Sequence, residues 1–160
     1  PALEIELDDQ TIRLHGFIDR IDRDVNGNLR VIDYKSGSAP YSKADIEKGL
    51  ALQTVLYALA AERNWLEPGA QVTESFYLHL PNRKTSGCVA FKEKVGENEL
   101  VIAALQQAAR SVQMIQGGIF PSAPAKPTSG GSLCRENCDF ASICRVSREG
   151  IRKARKAGLA

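Results

Sequence analysis

Residues Gly16 to Gly37, GFIDRIDRDVNGNLRVIDYKSG, set two runs of alternating apolar and polar residues on either side of Asn26-Gly27. Asn-Gly accepts the positive φ angles of a tight type I′ turn, so the stretch predicts a β-hairpin. Side chains alternate across a strand, which puts Val31, Asp33 and Lys35 on one face of the second strand and Ile32 and Tyr34 on the other. A carboxylate and an ammonium thereby stand side by side. Antiparallel pairing would bring Asp19 of the first strand close to Asp33.

Two carboxylates and a lysine suit a hard divalent cation and an oriented water, because such cations take oxygen ligands and a single carboxylate holds them weakly. The plainer alternative is a cross-strand ladder of ion pairs on a solvated face. The neighbours of Asp33 weigh against it, since a carboxylate among Val31, Ile32 and Tyr34 is costly to bury without a metal or a partner.

The flanking sequence predicts what surrounds the hairpin. Leu3 to Leu7 alternates as a short strand, Asp8-Asp9-Gln10 turns, and Thr11 to Asp24 reads as one long strand, giving three sequential antiparallel strands. His15, on the same alternation as Asp19, reads as an ordinary strand residue. Gly37 and Pro40 break the pattern into a loop, and Ser42 is an N-cap for a helix from Lys43 to about Trp65. Two stripes on that helix, Leu52/Leu56/Leu59/Arg63 and Ile46/Leu50/Gln53/Tyr57, are expected to face inward. Gln53 and Tyr57 share a face, and taken alone they are no more than the edge of a core helix. Val72 to Leu80 predicts a strand, Pro81-Asn82 a turn, and Cys88 to Val95 a further strand, with Arg83, Lys84, Ser86 and Gly87 in the connecting loop. A last helix, Glu97 to Gln116, ends at Gly117-Gly118.

Taken in order, GFIDRID, VIDYKSG and the Gln53/Tyr57 pair of LQTVLY resemble the motifs of the PD-(D/E)XK nucleases. The resemblance is to the RecB-like and AddB-like nuclease domains of bacterial helicase-nucleases that repair double-strand breaks. It implies an α/β, restriction-endonuclease-like fold, a central mixed β-sheet flanked by α-helices, with a C-terminal cysteine-containing tail. Residues 1–120 would form the nuclease core, 121–133 a Pro/Gly/Ser-rich flexible connector, and 134–160 a cysteine-rich basic tail.

For chemistry, the resemblance implies Mg²⁺ or Mn²⁺ held by Asp19, Asp33 and the backbone carbonyl of Tyr34. Lys35 would orient the attacking water, and Gln53 and Tyr57 would touch the nucleic acid or support the site. The substrate would be DNA ends, cut exonucleolytically beside a helicase domain or subunit. A catalytically inactive DNA-binding or scaffolding module is the competing reading, and the presence of Asp19, Asp33 and Lys35 together favours the enzyme. An RNA-processing member of the superfamily stays open, because phosphate contacts carry no sequence information. The family's first metal-site residue, on a helix upstream of the hairpin, has no counterpart here. The resemblance therefore implies weak metal binding and slow or absent cleavage by this segment alone.

Cys134, Cys138 and Cys144 lie close together, spaced C-x3-C-x5-C. Such a cluster in a chain read as cytoplasmic suggests metal before disulfide. The related C-x2-C-x5-C ending of RecB-like and AddB-like nucleases implies a 4Fe–4S cluster in the full-length protein, with zinc as second choice. Three thiolates fall one short of the usual four ligands, and Cys88 reads as an ordinary half-buried strand cysteine. The net charge of +2 divides into +5 over residues 145–160 and −3 elsewhere. That tail is read first as a solvated segment and second as a phosphate-binding patch. No run approaches the apolar length of a membrane helix, the start lacks a signal sequence, and no membrane partner is expected. The first residue is Pro1, from which an excised or processed piece is expected.

Overall fold

The computed structural model describes residues 3–7 and 10–120. The expected connector and tail, with Cys134, Cys138 and Cys144, lie outside the described residues. The chain divides into a compact unit Pro1–Ser111 and a second that begins at Val112, and every residue of the candidate site belongs to the first.

Two antiparallel strands, β1 (Leu3–Leu7) and β2 (Gln10–Leu14), make a small sheet of their own. The central sheet holds β3 (Arg20–Arg23), β4 (Leu29–Lys35), β5 (Val72–His79) and β6 (Lys84–Ala90), in that order. β4 and β5 run parallel and the outer pairs antiparallel, which is the mixed α/β sheet the sequence leads one to expect. Parallel neighbours need a crossover. Here α1 (Lys43–Glu47) and α2 (Gln53–Trp65) supply it, and α3 (Glu99–Gln116) follows β6 after a 3-10 turn at Val95–Glu97.

Several local expectations are corrected. The hairpin forms, but only Gly27 adopts positive φ, and Asn26 does not. The Asp24 N–H donates to the Asn28 carbonyl and the Gly27 N–H to the Asp24 carbonyl, so the loop is a three-residue turn closed by a left-handed glycine. The Asp24 carboxylate accepts from the Asn28 side-chain amide and from the N–H groups of Asn28 and Asn26, which organises the longer loop and holds its own pKa below the ordinary carboxylate value.

The expected long strand Thr11–Asp24 is broken. β2 pairs with β1 while β3 pairs with β4, so residues 15–19 cross between two sheets and Gly16 sits in the crossing. The long helix is broken too. Ser42 and Asp45 form a capping box that starts α1, and Gly49 at φ +72° ends it, with the Leu50 N–H donating to the Asp45 carbonyl. A fresh helix then starts at Gln53, beside the end of β4.

α2 packs on the sheet face that carries Leu29, Val31 and Tyr77, burying Val55, Ala58, Leu59 and Ala61. The buried stripe thus differs from the expected ones: Leu50 is exposed, and Leu52 and Leu56 are only partly covered. Each Leu or Val removed from water there contributes about 1.5–3 kcal/mol. β6 begins earlier than expected, so Lys84, Ser86 and Gly87 are strand residues and not loop. Cys88, expected half-buried, is exposed and free, because alternation turns Val89 inward instead.

Candidate active site

β4 brings Asp33 and Lys35 to the same face two residues apart, as alternation requires. Asp33 is 2 % exposed and lies opposite Tyr77 of β5. A carboxylate at that depth needs a counter-charge. Lys35 Nζ supplies it at 2.6 Å from Asp33 Oδ2, although off the direction of a good hydrogen bond, so this buried oxygen has none of normal geometry among the described residues. The ammonium donates instead to Gln53 Oε1 at 2.5 Å and sits 5.0 Å from the centre of the Tyr77 ring.

Gln53 continues the chain by donating through Nε2 to Tyr57 Oη at 3.4 Å. The two sequence elements D-x-K and Q-x-x-x-Y are therefore physically joined, as Asp33, Lys35, Gln53 and Tyr57. The break at Gly49 makes this geometry, since it lets α2 start where Gln53 meets the end of β4.

Asp19 reaches the same place from the other side. The β3/β4 register runs Arg20 to Ile32 and Ile21 to Val31, and one further step sets Asp19 opposite Asp33. Asp19 precedes β3 and is exposed, and its Oδ2 accepts the Tyr34 N–H at 2.8 Å. Beside it, the exposed Arg20 guanidinium pairs with Asp22 at 2.6 Å and donates to the Tyr34 hydroxyl, which raises its pKa above the ordinary arginine value.

Four residues of the site wall were not singled out by sequence reasoning. Burial pushes the Tyr77 phenol up to about 12, so a neutral ring lies under Lys35. Tyr41 packs against that ring, with centroids 4.6 Å apart. His79, 1 % exposed, holds the loop after Lys35. Its Nδ1 lies 2.7 Å from the Gly37 carbonyl, which can only accept, so the proton is on Nδ1. Nε2 then accepts from the Ser86 hydroxyl at 2.7 Å, and Ser86 Oγ in turn accepts the Tyr41 N–H at 3.1 Å.

The signal that could have found Tyr77 and His79 is the alternation Ser75, Tyr77, His79 along β5. It identifies a shared face, but only the parallel pairing of β5 beside β4 shows that this is the face of Asp33. Gly87 belongs to the same wall: its φ is +56°, its N–H donates to the Tyr41 carbonyl, and a Cβ there would come within 2.8 Å of the Tyr77 ring.

Among the described residues no three His, Cys, Asp or Glu side chains gather as a metal cluster. Asp19 and Asp33 nevertheless form an all-oxygen donor pair, one oxygen of which is buried without a normal hydrogen bond. That donor chemistry fits a hard divalent cation better than a thiophilic one.

Comparison with known proteins accords with this geometry. Residues 1–145 match a family model of the PD-(D/E)XK nuclease superfamily. The chain is 38 % identical over 77 residues to an ATP-dependent helicase/deoxyribonuclease subunit of Streptococcus agalactiae serotype III (strain NEM316), covering 48 % of this chain and 7 % of that protein. It is 37 % identical over 86 residues to the protein of the same name in Streptococcus mutans serotype c, covering 52 % and 8 %, and 35 % identical over 82 residues to that of Streptococcus pyogenes serotype M3 (strain MGAS315), covering 51 % and 8 %. The chain thus spans less than a tenth of the length of these relatives. The family match over most of the chain and the Asp-x-Lys strand joined to its Gln-x-x-x-Tyr helix place this protein in the PD-(D/E)XK nuclease superfamily.

Proposed function

We propose that the chain is the nuclease module of a helicase-nuclease, hydrolysing DNA phosphodiesters with Mg²⁺ or Mn²⁺ and acting as an exonuclease in double-strand break repair. The observation that carries the reading is the joined set Asp33, Lys35 and Gln53 with Asp19 set opposite. The relatives, named as parts of a helicase/deoxyribonuclease, support DNA as substrate and a helicase as partner.

Asp19, Asp33 and the Tyr34 carbonyl would hold the cation. Bound there, it supplies Lewis-acid neutralisation of phosphate charge. Lys35 has three donors, of which Gln53 takes one and Asp33 faces another. The remaining N–H is free to orient a water toward phosphorus and to offset charge building on the phosphoryl oxygens, a term worth about 2.7–4 kcal/mol per well-placed donor. Gln53 and Tyr57 fix the direction of that ammonium. We further assign Cys134, Cys138 and Cys144 to a 4Fe–4S cluster in the full-length protein, with zinc the second choice; iron, sulfide and zinc content of the purified protein decides between them.

The test is Mn²⁺-dependent cleavage of end-labelled DNA, at enzyme excess, by the wild type and by Asp19→Ala and Asp33→Ala. Both variants are expected to lose cleavage and to bind Mn²⁺ at least tenfold more weakly. Near-normal cleavage by Asp33→Ala contradicts the proposal.

A further inference from the structure

Beside the site lies a cavity of about 180 Å³ that the nuclease chemistry does not use. It is bounded by the crossing segment, through His15, Gly16 and Ile18, and by α2, through Leu56, Tyr57, Ala60 and Trp65, with Leu3 and Leu14 behind. These are the two segments that carry the candidate site. The crossing leads in one residue from Ile18 to Asp19, and α2 leads in one turn from Tyr57 back to Gln53.

The lining is apolar and aromatic. His15 is its single titratable group apart from the Tyr57 hydroxyl, and no lysine, arginine or carboxylate faces in. Such a pocket has nothing for a phosphate and much for a flat ring. It is smaller than the pockets of about 300–1,000 Å³ that take drug-sized ligands, and of the right order for one heterocycle. Trp65 stays 43 % exposed and Phe17, between two lining residues, 90 % exposed, an unusual cost for aromatic surface beside a charged site.

Tyr57 ties the cavity to the chemistry. Its ring lies 3.9 Å from where a Cβ on Gly16 would sit, and its hydroxyl joins Gln53, which holds Lys35. Two hydrogen bonds and one amide separate Tyr57 Oη from Lys35 Nζ, no more than about 8 Å. A single nucleotide spans that distance with its phosphate at Lys35 and its base against Tyr57.

We propose that this cavity is a nucleobase pocket that takes one unpaired base of a single-stranded DNA adjoining the phosphate held at Asp33 and Lys35. The inference rests on the nuclease reading for the phosphate's position, and it adds the preferred substrate: a strand whose base is free to leave its partner. Stacking against aromatic side chains is tolerant of sequence, so the pocket selects unpaired DNA and not a particular base. A base-paired nucleotide cannot enter without unpairing.

Trp65 is the protein's only tryptophan, so its fluorescence reports the pocket directly. The probes are a short oligothymidylate, a strand of equal length made entirely of abasic residues, and a blunt duplex, each titrated in EDTA so that nothing is cut. Oligothymidylate is expected to quench Trp65 to saturation, while the abasic strand and the duplex leave it unchanged. Ala60→Leu, which fills the cavity, is expected to weaken oligothymidylate binding about tenfold, the scale of one lost stacking contact. His15→Ala, on an exposed segment where folding is not at stake, should weaken it severalfold without changing affinity for the abasic strand.

Unchanged Trp65 emission with all three probes overturns the pocket, as does equal quenching by the abasic strand. The two readings fail separately. Cleavage in Mn²⁺ without quenching removes the pocket and keeps the nuclease, whereas quenching with no cleavage, even by a form extended upstream, keeps the pocket and removes the nuclease.

Discussion

Asp33 and Asp19, which the β3/β4 register extended by one residue sets opposite one another, are held in opposite ways. Asp33 sits inside a parallel strand pair, 2 % exposed, with Tyr77 opposite it and Lys35 as counter-charge. Asp19 lies in a segment between two sheets, exposed, and is tied there by the N–H of Tyr34. The first carboxylate is therefore part of the core's energetics and the second is nearly free of them. A site built this way has one rigid wall and one adjustable arm, which suits a cation whose ligands must close around it.

The largest contrast is expected in stability. Lys35→Ala leaves the Asp33 carboxylate buried without its partner, at a cost of about 3–5 kcal/mol, whereas Asp19→Ala, which loses only the hydrogen bond from the Tyr34 N–H, should cost about 0.5–1.5 kcal/mol. Denaturant unfolding of the two variants without metal measures the difference. Equal losses would break the comparison.

Next comes the wall itself. Gly87→Ala places a methyl group within 2.8 Å of the Tyr77 ring at a left-handed backbone position, and should cost about 1–3 kcal/mol. Because that ring lies under Lys35, cleavage should fall in kcat with KM for DNA little changed. A change in KM alone would show that Tyr77 does not set the lysine.

A smaller effect is expected from His79→Asn, which retains a donor for the Gly37 carbonyl but loses the acceptor for the Ser86 hydroxyl. The expected loss is about 1–3 kcal/mol, and Ser86→Ala on top of it should add only about 0.5–1.5 kcal/mol for the Tyr41 N–H, because the His79–Ser86 hydrogen bond is already gone. Additive losses would mean the strap is not a single unit.

The smallest concerns Tyr77 in alkali. Its folded pKa, pushed up to about 12, lies above the ordinary value of 10, so the stability it contributes is complete below pH 10 and is lost as pH rises toward 12. Thermal melts across that range should fall less steeply in Tyr77→Phe than in the wild type.

What was legible in the sequence is the local part of this arrangement. Period-two alternation places Asp33 and Lys35 on one face, and helical spacing places Gln53 and Tyr57 on another, without any tertiary information. The breaks were harder. Thr11 to Asp24 reads as one extended run, although its apolar phase slips between Leu14 and Ile21, and the pairing of β2 with β1 and of β3 with β4 divides it at residues 15–19. Gly49 was visible, yet a lone glycine inside a helical pattern is often tolerated, and its left-handed turn goes with the closing bonds from the Gly49 N–H to the Ile46 carbonyl and from the Leu50 N–H to the Asp45 carbonyl. The wall of Tyr41, Tyr77, His79 and Ser86 was illegible for a different reason: its members are as many as 45 residues apart and meet only through the sheet register.

The most direct test of the central claim is cleavage of labelled linear single- and double-stranded DNA in Mn²⁺ by the wild type and Lys35→Ala, at enzyme excess and at a temperature where both are folded. The wild type is expected to cut, slowly if it acts alone, and Lys35→Ala to cut on the order of 10²–10³ times more slowly. If the two proteins cut at the same rate, or if a form extended upstream binds DNA and does not cut it, Asp33, Lys35 and Gln53 serve the fold and not a reaction.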